Sequence, residues 1–184
     1  MKKTLLALLV LTLSPMAHSQ DNSSTDKTHT LGYGFGWTNM RSDLAAETSD
    51  IQGYDSYFYS YQFTPVWSIN FDHTTGDTDN IGFGENDAAI SRQAKYNANI
   101  ISAKGRVVLS PRWQFYGKLG ANQYQMDYTG KQQPANHQSG LGIALAAGVE
   151  FRAYNGFGFG FQIQHLDMGD TRVTANGMYF SYLF

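Results

Sequence analysis

Bulky apolar residues recur at every second position along most of this chain. "HTLGYGFGWTN" sets Leu31, Tyr33, Phe35 and Trp37 against Gly32, Gly34 and Gly36. "YDSYFYSYQF" sets Tyr57, Tyr59, Tyr61 and Phe63 against Phe58, Ser60 and Gln62, and "VWSINFDHT" sets Trp67, Ile69 and Phe71 against Ser68, Asn70 and Asp72. The same beat runs through "SAKGRVVL", "RWQFYGKLGANQ", "GLGIALAAGVEFR" and "FGFGFQIQ". It closes in "GMYFSYLF", with Met178, Phe180, Tyr182 and Phe184 in phase. Period-two alternation predicts strands with one greasy and one small or polar face. No helical spacing interrupts it after the first 20 residues.

The connections alternate as well. Thr64-Pro65, Ser110 to Arg112 and Tyr154 to Gly156 are tight turns with Pro or Asn-Gly chemistry. The others are polar and longer, at 40–52, 75–92, 126–138 and, shorter, 166–171. Short turns at one end and long loops at the other predict an all-β fold, an eight-stranded antiparallel up-and-down transmembrane β-barrel. An even strand number puts both chain ends on the short-turn side.

The two faces decide the solvent. A face this rich in glycine makes a poor water-facing surface, and a face this aromatic overfills an eight-stranded barrel. The aromatic side is therefore expected to meet lipid, with glycine, alanine, serine and a few charges inside. The charges agree. Lys104, Lys118 and Glu150 lie opposite the aromatics, four to six residues from their turns. A lysine turned to lipid near mid-membrane costs about 2–4 kcal/mol. Turned inward, Lys104 and Lys118 have Glu150 to pair with. Asp72 shares that face, and Arg106 and Arg152 sit nearer the turns. A one-residue slip would expose the whole set at once. Met178, Phe180, Tyr182 and Phe184 are then the lipid face of the closing strand, and Trp67 and Trp113 belong to an aromatic girdle.

Composition adds the compartment. The chain has 184 residues. "MKKTLLALLVLTLSPMAHSQ" reads as a secretory signal: two lysines, an apolar run too short for a membrane span, and a small-residue cleavage site. Residues 1–19 are assigned to the signal and 20–184 to the barrel domain. Without Lys2 and Lys3, 11 basic residues face 15 acidic ones, a formal charge of −4 that argues against nucleic acid. There is no cysteine, so no disulfide holds the fold.

"SAKG", "SPRWQFYGKLG", "AGVEF" and a terminal aromatic strand ending in Phe184 together resemble the outer membrane protein A transmembrane-domain family, with its small adhesin and invasion-related barrels. The likeness covers about residues 28–184. It implies residence in the bacterial outer membrane and an inward plug of ion pairs, by motif Lys104, Lys118 and Glu150. Two positions depart from the family: Asn70 stands for an acid, with Asp72 two residues on, and Gly160 stands for an arginine. With the sequence ending at Phe184, a peptidoglycan-binding role is not carried over.

Other chemistry is sparse. His29, His73, His137 and His165 lack metal-ligand spacing, and no metal or cofactor is expected. His137 with Ser139, or His165 with Asp167, offers only fragments of a lipid A deacylase site. Asp72, Asp77, Asp79, Glu85 and Asp87 crowd one segment without the EF-hand pattern, which leaves calcium binding there open. "GYGFG" and "GFGFG" lack the strand-turn-helix context of a phosphate loop. The expectation is a non-enzymatic, membrane-anchored scaffold with surface loops for envelope integrity, surface interaction or adhesion. A narrow gated pore is the alternative, and a lipid A-modifying enzyme stands behind it. Expected partners are outer-membrane lipid and lipopolysaccharide, the barrel-assembly machinery at the closing strand, and a surface ligand the sequence does not name.

Overall fold

The computed structural model describes residues 28–42, 49–77, 92–130 and 136–184. The segment read as a secretory signal, 1–19, lies outside them. Eight antiparallel strands run in chain order: β1 (His29–Ser42), β2 (Ser49–Gln62), β3 (Trp67–Asp77), β4 (Arg92–Val108), β5 (Trp113–Gly130), β6 (Asn136–Arg152), β7 (Phe157–Met168) and β8 (Thr171–Leu183). Each pairs with its sequence neighbours, and β8 closes the barrel on β1 from Thr30↔Leu183 to Ser42↔Thr171. The eight-stranded barrel read from the alternation is borne out.

The turns form as their side chains dictate. Thr64 Oγ1 accepts from the Trp67 amide at 2.9 Å, Ser110 Oγ from the Trp113 amide at 3.2 Å, and Asn155 Oδ1 from the Phe157 amide at 3.2 Å. Gly156 follows with φ 98°, a left-handed conformation that its missing Cβ permits. At the same end, backbone bonds join His29 and Phe184 in both directions, at 3.2 and 2.8 Å.

The strands reach well past the expected loop boundaries. β4 begins at Arg92, β5 runs to Gly130 and β6 starts at Asn136, so these three form a tall wall. β7 and β8 meet at the two-residue turn Gly169-Asp170, with Gly169 at φ 64°. The β6–β7 ladder stops at Ala144↔Leu166. There Asn122 of β5 donates through Nδ2 to the carbonyls of Ile143, at 3.1 Å, and Asp167, at 3.2 Å. One side chain thus caps both sides of the parting seam.

The reason for the extra length is a change of solvent. On the turn side of the wall the outer face is apolar: Leu31 to Trp37 on β1, Trp67 to Phe71 on β3, Phe115 and Leu119 on β5, and β6 from Phe151 up to Leu141. Toward the loops it becomes polar on every strand, through Asn39, Asp55, His73, Asn99, Gln123, Ser139, His165 and Thr174. Inside, the order reverses. The loop end holds a buried, largely apolar core of Met40, Tyr96, Ala98, Ile100, Tyr124, Met126, Ala144, Leu166, Met168 and Val173. From Leu141 to Phe151, β6 rises about 25 Å at about 3.3 Å per residue and a tilt near 40°, the height of an apolar membrane band. Below that boundary the barrel is greasy outside and polar inside. Above it the barrel obeys the rule of a water-soluble protein.

Candidate functional site

The lumen carries the chemistry, and its packing begins with glycine. Six described aromatic rings point inward: Tyr54, Phe58, Tyr96, Tyr116, Tyr124 and Tyr179. A Cβ built on the inward glycines Gly177, Gly32, Gly76, Gly148, Gly140 and Gly160 would run into those rings in the same order. The interior is therefore bulkier than the expected glycine, alanine and serine lining. The glycines supply the space into which each ring lies flat.

Near mid-height the charges meet. Glu150, 1% exposed, receives three donors: Lys104 Nζ at 3.4 Å and Tyr179 Oη at 2.9 Å on Oε2, and the Arg152 guanidinium on Oε1. Lys118 does not join them. It reaches Asp72 Oδ1 at 2.9 Å, whereas pairing with Glu150 was expected. The register gives the reason: Lys104 and Lys118 are direct cross-strand partners on β4 and β5. Like charges face to face repel, and separate carboxylates draw them apart. Each ammonium also caps a ring, Lys104 over Tyr116 at 4.2 Å and Lys118 over Phe58 at 5.3 Å. Arg106, nearer the turns, donates to the Pro65 carbonyl at 2.7 Å and to Gln114 at 3.4 Å, with no carboxylate partner among the described residues.

The lumen is thus closed twice. The ionic layer fills the membrane-level section with Glu150, Tyr116 and Tyr179, all 5% exposed or less. The apolar core fills the loop end, where Met126, Leu166, Met168 and Val173 have no exposed surface. The sequence reading missed this upper layer. The signal was a shift of the alternation by one residue, as in "YNANIISAKG", where Tyr96, Ala98 and Ile100 point in and Ile101 and Ala103 point out.

The remaining candidates stand apart from the lumen. His165 lies on the outer face, with Nδ1 3.1 Å from Thr174 Oγ1 and Nε2 3.5 Å from Asp167. His137 is 2.6 Å from Asp127, and His73 is 2.8 Å from Asn99, both on the exposed outer wall. His29 stacks on Tyr59 and Phe184 at the turn end. Of the acidic segment, Asp72 is inside the barrel, Asp77 pairs with Lys95 at 2.5 Å, and Asp79, Glu85 and Asp87 fall outside the described residues. Among the described residues no three His, Asp or Glu side chains gather as metal ligands. Met178, Phe180, Tyr182 and Phe184 all stand on the outer face, Met178 half-buried among its neighbours and the rest exposed.

A family described as outer membrane protein beta-barrel domain matches residues 4–184. No curated protein sequence matches. Among solved structures, the chain is similar to Ail, the attachment invasion locus protein of Yersinia pestis, at 16% identity and TM-score 0.62, over 86% of this chain and 99% of that one. It is similar to neisserial surface protein A at 10% identity and TM-score 0.69, over 85% and 97% of the two chains. The outer membrane protein OprG of Pseudomonas aeruginosa matches at 15% identity and TM-score 0.54, over 86% and 97%. At these identities the likeness speaks to the fold.

Proposed function

Since the chain belongs to the outer membrane protein β-barrel domain family and resides in the bacterial outer membrane, we propose that it is a non-enzymatic, non-conducting anchor that presents its loop end to the exterior. The observation that carries this reading is the double closure of the lumen. Any ion passing through would have to open a buried ionic layer and then a buried apolar one, each packed against its own glycines. The tall wall of β4, β5 and β6 rises past the apolar band, which supports an attachment or envelope-integrity role. Lipid and lipopolysaccharide cover the aromatic band, and the assembly machinery takes hold of the closing strand, Met178 to Phe184.

Planar-bilayer recording of the purified barrel tests this. Silence is expected from the native protein and from Lys104→Ala alike, because the apolar layer stays shut when the ionic one is loosened. Discrete channels in either protein would favour a gated pore, the reading for which the shared hold of Lys104 and Arg152 on Glu150 speaks. Release of acyl chains from lipid A, lost in His165→Ala, would overturn the non-enzymatic part.

A further inference from the structure

The charges of the lumen do not balance. Among the described inward residues, Lys104, Arg106, Lys118 and Arg152 stand against Asp72 and Glu150 alone, an excess of two positive charges. Asp72 is engaged by Lys118, and Glu150 by Lys104, Arg152 and Tyr179. The surplus therefore lies toward the turn end, where Arg106 contacts only uncharged acceptors and Arg152 shares the single charge of Glu150 with Lys104. They are linked through three strands: Arg106 donates to Gln114, Gln114 pairs in register with Glu150, and Glu150 holds Arg152. Arg152 uses one nitrogen on Glu150, while its Nε and Nη1 are buried and have no partner. Close by, Ser181 Oγ is also buried without a partner; it lies, together with Glu150 Oε1, beside Gly158, the register partner of Arg152. Buried donors without acceptors are costly, and an uncompensated cation more so.

We propose that the turn-end lumen holds one small inorganic anion, of the chloride or phosphate kind, between Arg152, Arg106 and Ser181. Arg152 supplies two N–H donors, Ser181 its hydroxyl, and Arg106 the second positive charge. Water would satisfy the donors but leave the charge surplus standing; an anion answers both. The layer of Lys104, Glu150, Tyr116 and Tyr179 stops the ion from going further.

The test is the urea unfolding of the full barrel in lipid vesicles, with phosphate or bromide titrated against gluconate at constant ionic strength. A bound ion multiplies the folded-to-unfolded ratio by one plus its concentration over Kd, about 100-fold when the ion is at 100 times its Kd. Whichever titration gives this rise identifies the anion. Arg106→Gln and Arg152→Gln should each abolish the response, while Arg112→Gln, on the outer side of a turn, should keep it. A bromide-soaked crystal of the native protein gives a readout independent of folding: an anomalous peak beside Arg152 is expected. Flat titrations with no peak, or responses unchanged in Arg106→Gln, would overturn the proposal.

Discussion

Ile100 and Ile101 are consecutive residues of β4, yet Ile100 is 5% exposed inside the barrel and Ile101 is 52% exposed outside it. Between them runs the height at which the wall exchanges its solvents. Neighbouring apolar residues on opposite faces are an anomaly for a strand in one environment. They are the expected outcome where the outer face passes from hydrocarbon to water while the inner face passes from a polar lumen to an apolar core.

That boundary sets the tolerance for outward charges. Leu119→Arg should destabilise the barrel by about 2–4 kcal/mol, whereas Gln123→Arg, two outward positions higher on the same strand, should cost about 0–1 kcal/mol. Urea unfolding in vesicles measures both.

Eight strands were legible because each crosses the apolar band with its outward apolar residues in phase. The upper half of β4 was not, since "KYNAN" puts tyrosine and alanine inward and asparagine outward, opposite to the beat below it. A constant backbone in two solvents reads as a broken pattern. The inward placement of Lys104 and Glu150 followed from the cost of the alternative. The choice of Asp72 by Lys118 did not, because it depends on the stagger of β3, β4 and β5, which no local pattern records.

Glu150 is the single acceptor for two cations and a phenol. Glu150→Ala leaves all three without it and should cost about 3–5 kcal/mol, the scale of breaking a buried ion pair by removing one partner. Ser139→Ala, on the outer wall, should stay within about 0.5 kcal/mol of the native protein. Their denaturation midpoints decide.

Glycine makes room for the inward rings. A Cβ on Gly160 would sit 2.5 Å from the Tyr179 ring, so Gly160→Ala must displace the phenol that donates to Glu150, at about 1–3 kcal/mol. On the outer face, the nearest atom to a Cβ on Gly117 is 3.9 Å away, and Gly117→Ala should be neutral or stabilising. Paired unfolding curves separate the two.

Asn122 serves two carbonyls where β6 and β7 part. Asn122→Ala removes both bonds, at about 1–3 kcal/mol for groups left unsatisfied. Asn122→Asp sets a carboxylate against the same carbonyls and should cost more. Hydrogen exchange at the Ala144↔Leu166 rung should quicken in both variants.

The most direct measurement uses the absence of cysteine from the chain. Spin labels placed singly at Asn99→Cys, Ile100→Cys and Ile101→Cys in vesicles report collisions with oxygen, which partitions into hydrocarbon, and with a water-soluble nickel chelate. The label at 101 should favour oxygen, the label at 99 should favour nickel, and the label at 100 should be shielded from both. Equal nickel access at 99 and 101 would put water along the whole outer face and contradict the inversion.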